Sequence, residues 1–189
     1  MNNNCNLSNV AVKYINEFDC ILNRMIECMS NVELSDSISK NFIMQMIPHH
    51  RAAIEMCENL LKYTTNIPLQ NVACNIIKEQ TEGIENMQCI EDRCANLCNC
   101  SDDLCLYQKR FNSISKNMFS KMENSLRSNN INANFISEMI PHHRGAIEMC
   151  NNALCFEVCS GLKPILRRII SSQSRGIRQM QNIMRHINR

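Results

Sequence analysis

The chain has 189 residues, enough for one large or two small domains and a substantial core. Trp is absent, Gly and Pro number 4 each, and the formal net charge is +2, so a mostly helical protein is favoured over a β-rich one. No apolar stretch approaches the roughly 20 residues of a membrane span, and Met1-Asn-Asn-Asn-Cys-Asn is not a basic segment followed by an apolar run. The expectation is a soluble, cytoplasmic protein with no membrane partner.

Sliding the sequence on itself gives one offset, 93 residues, that holds without a gap: Met25 falls on Met118, Pro48 on Pro141, Gln80 on Gln173, Gly83 on Gly176 and Met87 on Met180. The chain is an internal duplication, and each half is expected to carry the same helices. Residues 1–93 form the first repeat, 94–101 a Cys-rich connector and 102–189 the second repeat, together one domain.

In the first repeat, Ile15, Phe18, Ile21, Leu22, Met25, Ile26 and Met29 recur at helical spacing, which predicts a helix over about 8–31. Ser35 or Asp36 can cap the next, running to about 63. Thr64-Thr-Asn-Ile-Pro68 is a turn, with Pro68 suited to open a third helix over about 67–92. The second repeat follows the same plan over about 102–128, 131–158 and 162–187. Pro48 interrupts the hydrogen-bond ladder of a pattern whose apolar spacing continues through it, so a continuous helix kinked there is expected.

The most repeated stretch is Phe42-Ile-Met-Gln-Met-Ile-Pro-His-His-Arg-Ala-Ala-Ile-Glu-Met-Cys57. It returns at Phe135–Cys150 with thirteen of sixteen positions identical, and the two copies hold four of the chain's 5 His. At about 100° per residue with Met46 at zero, His50 lies at about +40°, Cys57 at about +20°, Ala53 at about −20°, His49 at about −60° and Met56 at about −80°. Arg51 and Glu55 fall on the opposite side at i and i+4, spacing that suits an ion pair. Met139, His142, His143, Ala146, Met149 and Cys150 repeat the map.

One face thus offers imidazole, thioether and thiol groups, and Met25 with Met29, and Met118 with Met122, add sulfur from the preceding helices. N and S donors suit copper(I) or zinc better than oxygen-seeking magnesium or calcium, and the thioethers favour copper(I). No Glu-x-x-His occurs, so carboxylate di-iron chemistry is disfavoured. The competing reading is a helix core of Met and Cys with hydrogen-bonded His. No nucleophile, base or cofactor motif marks an enzyme.

Thirteen cysteines, an odd number, are expected to be reduced in a cytosolic chain, some of them metal-binding. Cys89, Cys94, Cys98, Cys100 and Cys105 cluster at the connector, and Cys150, Cys155 and Cys159 repeat the spacing of the first three, without a zinc-finger CxxC pair. Residues 107–189 carry 13 basic and 4 acidic side chains, and residues 1–106 carry 7 and 14. Glu82 aligns with Arg175, Glu85 with Arg178 and Asp92 with Arg185, as expected if equivalent helices of opposite sign run side by side. The basic last helix lacks aromatic residues for base stacking, so nucleic acid is not an expected partner.

At Met-Ile-Pro-His-His-x-x-Ala-Ile-x-Met, with the upstream Phe42 and Phe135 and the later Gln-x-x-x-Ile-x-x-Met of both halves, the sequence resembles the DUF305 family of small helical bacterial proteins. The resemblance covers about residues 15–90 and 108–184. It implies an all-α, ferritin-like four-helix bundle of two packed hairpins, here with two additional helices, and a link to copper binding and tolerance. It points to His49, His50, His142 and His143 as ligands, with Met46, Met56, Met139 and Met149 behind them. Gly83 and Gly176 stand where the family often has Glu, and the extra cysteines lie outside its pattern.

The expected function is storage, buffering or tolerance of a soft metal ion through the His, Met and Cys faces, without catalysis. The alternative is a structural or interaction protein, such as a cysteine-cross-linked component of a protective layer. A homo-oligomer is compatible with either.

Overall fold

In the computed structural model, residues 7–187 are described; the N-terminal segment read above for a leader lies outside them. Six helices follow in order: α1 (Asn9–Ser30), α2 (Ile38–Leu61), α3 (Ile67–Ala95), α4 (Ser101–Glu123), α5 (Ile131–Ala153) and α6 (Leu162–Ile187). Among the described residues there is no strand.

Local chemistry sets most helix starts. Ser8 Oγ accepts from the Ala11 amide at the head of α1, and Asn66 Oδ1 from Leu69 at the head of α3. Ser37, rather than Ser35 or Asp36, caps α2; Ser35 instead donates its hydroxyl to Asn41 Oδ1 at 3.0 Å, and its amide donates there too at 2.7 Å. The second half repeats that device with Ser128 and Asn134 and caps α5 with Asn130. Both α2 and α5 run unbroken through their prolines. Each therefore keeps a carbonyl four residues upstream, Met44 or Ser137, without its helical amide donor.

Two helices end earlier than their spacing predicts. After Glu123, the Asn124 side chain donates to the Ser120 carbonyl at 2.7 Å, and the Ser128–Asn134 bonds draw the chain out of the helix. After Ala153 the chain turns, which returns Phe156 edge-on to Tyr107 with ring centroids 5.9 Å apart. Tyr63 meets Tyr14 in the same way in the first half, at 6.0 Å. Asn59 and Asn152 likewise donate to the carbonyls of Tyr14 and Tyr107.

The helices α2, α3, α5 and α6 form a four-helix bundle, in which the hairpins α2–α3 and α5–α6 meet through α2 against α5 and α3 against α6. Helix α1 packs on α2 and α4 on α5 as the two additional helices. Phe18, Phe42, Phe111 and Phe135 are among the large side chains closed into the core. Burying each contributes about 1.5–3 kcal/mol.

The charge contrast between α3 and α6 is used directly: Arg168 pairs with Glu82 and Arg175 with Glu79. The pairing order shows that the two helices run antiparallel. The expected Arg51–Glu55 pair is not formed; Glu55 accepts from Arg24 of α1 at 2.7 Å. These three pairs are part-exposed, so each contributes little to stability.

The cysteines are not all reduced as expected: Cys94 and Cys159 form a disulfide across 65 residues. It ties the end of α3 to the α5–α6 connector, where Asn99 also donates to the Glu157 carbonyl at 2.8 Å. A loop of that length is worth about 4 kcal/mol in the chain-entropy treatment. Of the ten free cysteines described, only Cys57 and Cys150 are buried. No described helix is long and apolar enough to cross a membrane.

Candidate metal centre

Because α2 packs on α5, the two His-His pairs meet in the middle of the bundle. His49 stacks on His142 with ring centroids 3.7 Å apart and planes 28° from parallel. His50 lies 6.0 Å from His49, and His143 5.9 Å from His142. The four rings form a row across the interface, and none is more than 1% exposed.

Their hydrogen bonding is sparse. His142 Nε2 lies 3.1 Å from the His49 carbonyl, which can only accept, so Nε2 carries the proton and Nδ1 a bare lone pair. That Nδ1 has no partner, and neither do His50 Nδ1, His143 Nδ1 or either nitrogen of His49. Unpartnered buried polar atoms cost about 1–3 kcal/mol each. Burial pushes all four imidazoles below their ordinary range, and their neighbours add to the effect for three of them. His50 falls to about 3 through burial and then the charge of His142; the Met46 carbonyl, without a regular hydrogen bond to the ring, opposes this. His142 falls to about 4 through burial, opposed by the His49 carbonyl. His49 and His143 are also driven well down by burial and then by His142. Near neutral pH the row is uncharged and its free lone pairs can serve as soft donors.

The glycines that replace the family's Glu prove to be packing positions. A Cβ on Gly83 would sit 2.9 Å from the His50 ring, and one on Gly176 would sit 3.0 Å from the His143 ring. The outer imidazoles thus occupy the space a side chain would need on α3 and α6. Beside His50, Gln80 and Gln173 line a cavity of about 20 Å³ with their Oε1 atoms unpartnered.

The sulfurs named from sequence all enter one contiguous core. Met46, Met56 and Cys57 of α2, and Met139, Met149 and Cys150 of α5, are buried, as are Met25 and Met29 of α1 and Met118 and Met122 of α4. Met118 packs against Gly145, two residues beyond His143; the methyl that Ala52 carries in the first half would strike its thioether. Burial raises the Cys57 and Cys150 thiols well above their usual range, so they are poor thiolates without a metal. The structure therefore assembles the histidines and encloses the sulfurs in the same core. It does not close a coordination sphere: among the described residues no three His, Cys, Asp or Glu side chains converge on one point.

A buried carboxyl went unnoticed in the sequence. Glu138 Oε2 accepts from Tyr14 OH at 2.6 Å, across the halves. Burial raises its pKa to about 8, against the opposing Tyr14 hydrogen bond and Arg127 charge. Its counterpart Gln45 meets Tyr107 OH at 3.5 Å. The available signal was the change of Gln45 to Glu138, one of three differences between the two copies of the repeated stretch.

Comparison with known proteins agrees with this architecture. The family described as "Domain of unknown function (DUF305)" matches residues 23–91 and 108–184, and the chain belongs to it. Among solved structures, the chain is similar to "CopM in the Ag-bound form (by soaking)", at 26% identity and a TM-score of 0.58, over 82% of this chain and 98% of that one. It is also similar to a DUF305 fragment from Deinococcus radiodurans, at 18% identity and a TM-score of 0.57, over 79% and 96%. The latter likeness concerns the fold alone. No protein of curated function matches.

Proposed function

We propose that this protein binds a soft monovalent metal ion, copper(I) above all, for storage, buffering or tolerance, and performs no catalysis. The observation that carries the reading is the row of uncharged, buried imidazoles, five of whose nitrogens lack partners, inside a sulfur-rich core. Five such atoms in one place call for an explanation, and a bound cation would supply the missing partner for each lone pair that reaches it. Imidazole with thioether and thiol is a donor set for copper(I) or silver(I); thioethers serve zinc poorly. The likeness to a protein captured with silver supports the same class of cargo.

The test is anaerobic titration with copper(I) against a competing chelator. Replacing His49, His50, His142 and His143 together by Ala is expected to remove one or two ions from the stoichiometry. The double variant His50→Ala/His143→Ala, checked for fold by circular dichroism, reports the same if the quadruple variant does not fold. Unchanged binding in a folded variant refutes the role of the histidines.

A second reading has its own observation: eight of the ten free cysteines described are exposed, a surface suited to interchain cross-linking in a structural protein. Mass spectrometry of natively produced protein separates the two. Extensive interchain disulfides favour the structural role, and reduced thiols with metal favour the first.

A further inference from the structure

Away from the histidine row, α1 and α2 enclose a solvent-open cleft of about 490 Å³ at the Pro48 turn. Three sulfur side chains line it: Met25, Cys28 and Met44. Met25 and Cys28 stand three residues apart on α1 and so share a face. Met25 is 2% exposed, Met44 is half-buried and Cys28 is exposed, so the set runs from the cleft's floor to its rim. The sequence reading named Met25 for the histidine site and left Cys28 and Met44 unassigned.

We infer that Met25, Cys28 and Met44 form a separate surface site for one soft monovalent cation, at which copper(I) or silver(I) is first received. This rests on the soft-metal reading above and places a particular site within it. A thiol with two thioethers is a three-sulfur set that prefers copper(I) or silver(I) to magnesium, calcium or zinc. Binding would convert Cys28–SH and M⁺ into Cys28–S–M with release of one proton. No electron moves, and thioether lone pairs complete the coordination.

Charge balance permits the step. Arg24, Arg51, Glu55 and Glu91 line the same cleft, two of each sign, with Arg24 and Glu55 paired. Thiolate plus monovalent cation adds no net charge, whereas a divalent ion would leave one uncompensated. The duplication supplies an internal contrast. At the equivalent positions of the second half, Met118 remains, but Cys28 becomes Lys121, Met44 becomes Ser137 and Glu91 becomes Met184. The donor set belongs to one half only, while the histidine row belongs to both.

The experiment is silver(I) titration of reduced protein carrying ¹³C-methyl methionine, followed by NMR, in excess glutathione so that isolated surface cysteines stay metal-free. Met44→Leu and Met25→Leu assign the two signals. The Met25 and Met44 methyls are expected to shift together and saturate at one equivalent. In Cys28→Ser, an exposed position that leaves the core untouched, their response should weaken by about tenfold or more in affinity, about 1.4 kcal/mol. Methyls that do not move, or that move equally in Cys28→Ser, overturn the site. If Met46 or Met139 responds while these do not, the soft-metal reading stands and only this site falls. If no methionine methyl and no histidine ring responds, both fall.

Discussion

Acidifying the metal-free protein puts the histidine row under a defined load. Each of the four imidazoles has a folded-state pKa well below its value in the unfolded chain, with His50 at about 3 and His142 at about 4. A base of this kind favours the fold fully above the unfolded pKa, and the contribution is lost as pH falls toward the folded value. At about pH 5.5 the unfolded chain binds about 1.8 protons on His50 and His142 and the folded chain nearly none, and the lowered His49 and His143 add in the same direction. Glu138 acts in the opposite sense, because its folded pKa of about 8 lies above the unfolded one. At the same pH it binds about 0.9 more proton folded than unfolded, leaving a net release on folding of at least about 0.9. Stability should therefore fall by at least about 1 kcal/mol for each unit of acidification.

Urea unfolding followed by far-UV circular dichroism at fixed pH measures this slope. The informative interval is about pH 6 to 5, above the range where ordinary carboxylates contribute appreciably. A slope below about 1 kcal/mol per pH unit there would refute the claim that the four rings are held uncharged.

The buried carboxyl gives a test of opposite sign. In the wild type, raising pH from about 5 to about 8 ionises Glu138 in the unfolded chain while the folded one stays protonated, so the Glu138 contribution to stability should fall by about 1.4 kcal/mol per unit up to about pH 8 and level off above it. Glu138→Gln, which restores the amide of the first half, should abolish that decline, so its stability relative to the wild type should rise by about 1.4 kcal/mol per unit between about pH 5 and 8 and stay constant above. Parallel curves for the two proteins would count against a protonated Glu138. Gly83→Val should cost about 1–3 kcal/mol in urea unfolding, because the added side chain must displace the His50 ring from a packed core. A neutral effect would mean that the ring has room to move.

Much of the fold was legible because helices announce themselves locally. A buried stripe recurs about every 3.6 residues, and the gapless offset of 93 residues forced the same elements onto both halves. The face map placed Met46, His49, His50, Met56 and Cys57 together, and all five are buried in α2. Even the antiparallel contact of α3 with α6 left a trace, as opposite charge at aligned positions. The meaning of Gly83 and Gly176 was not legible. A glycine in a helix reads as a lost side chain until the neighbouring helix shows what fills the space.

By itself the sequence determined where the six helices lie to within about five residues, which face of each is apolar, and that the two halves are copies. These follow from propensity, capping and spacing within a few turns of chain. Tertiary structure alone decided that His49 stacks on His142, that Tyr14 reaches Glu138, that Cys94 meets Cys159, and that Met25, Cys28 and Met44 border one cleft. Periodicity within a helix fixes a direction around its axis but not the partner, register or crossing that meets it. The chemistry of this protein resides in contacts between helices, where those quantities decide whether two donors converge or merely share a pattern.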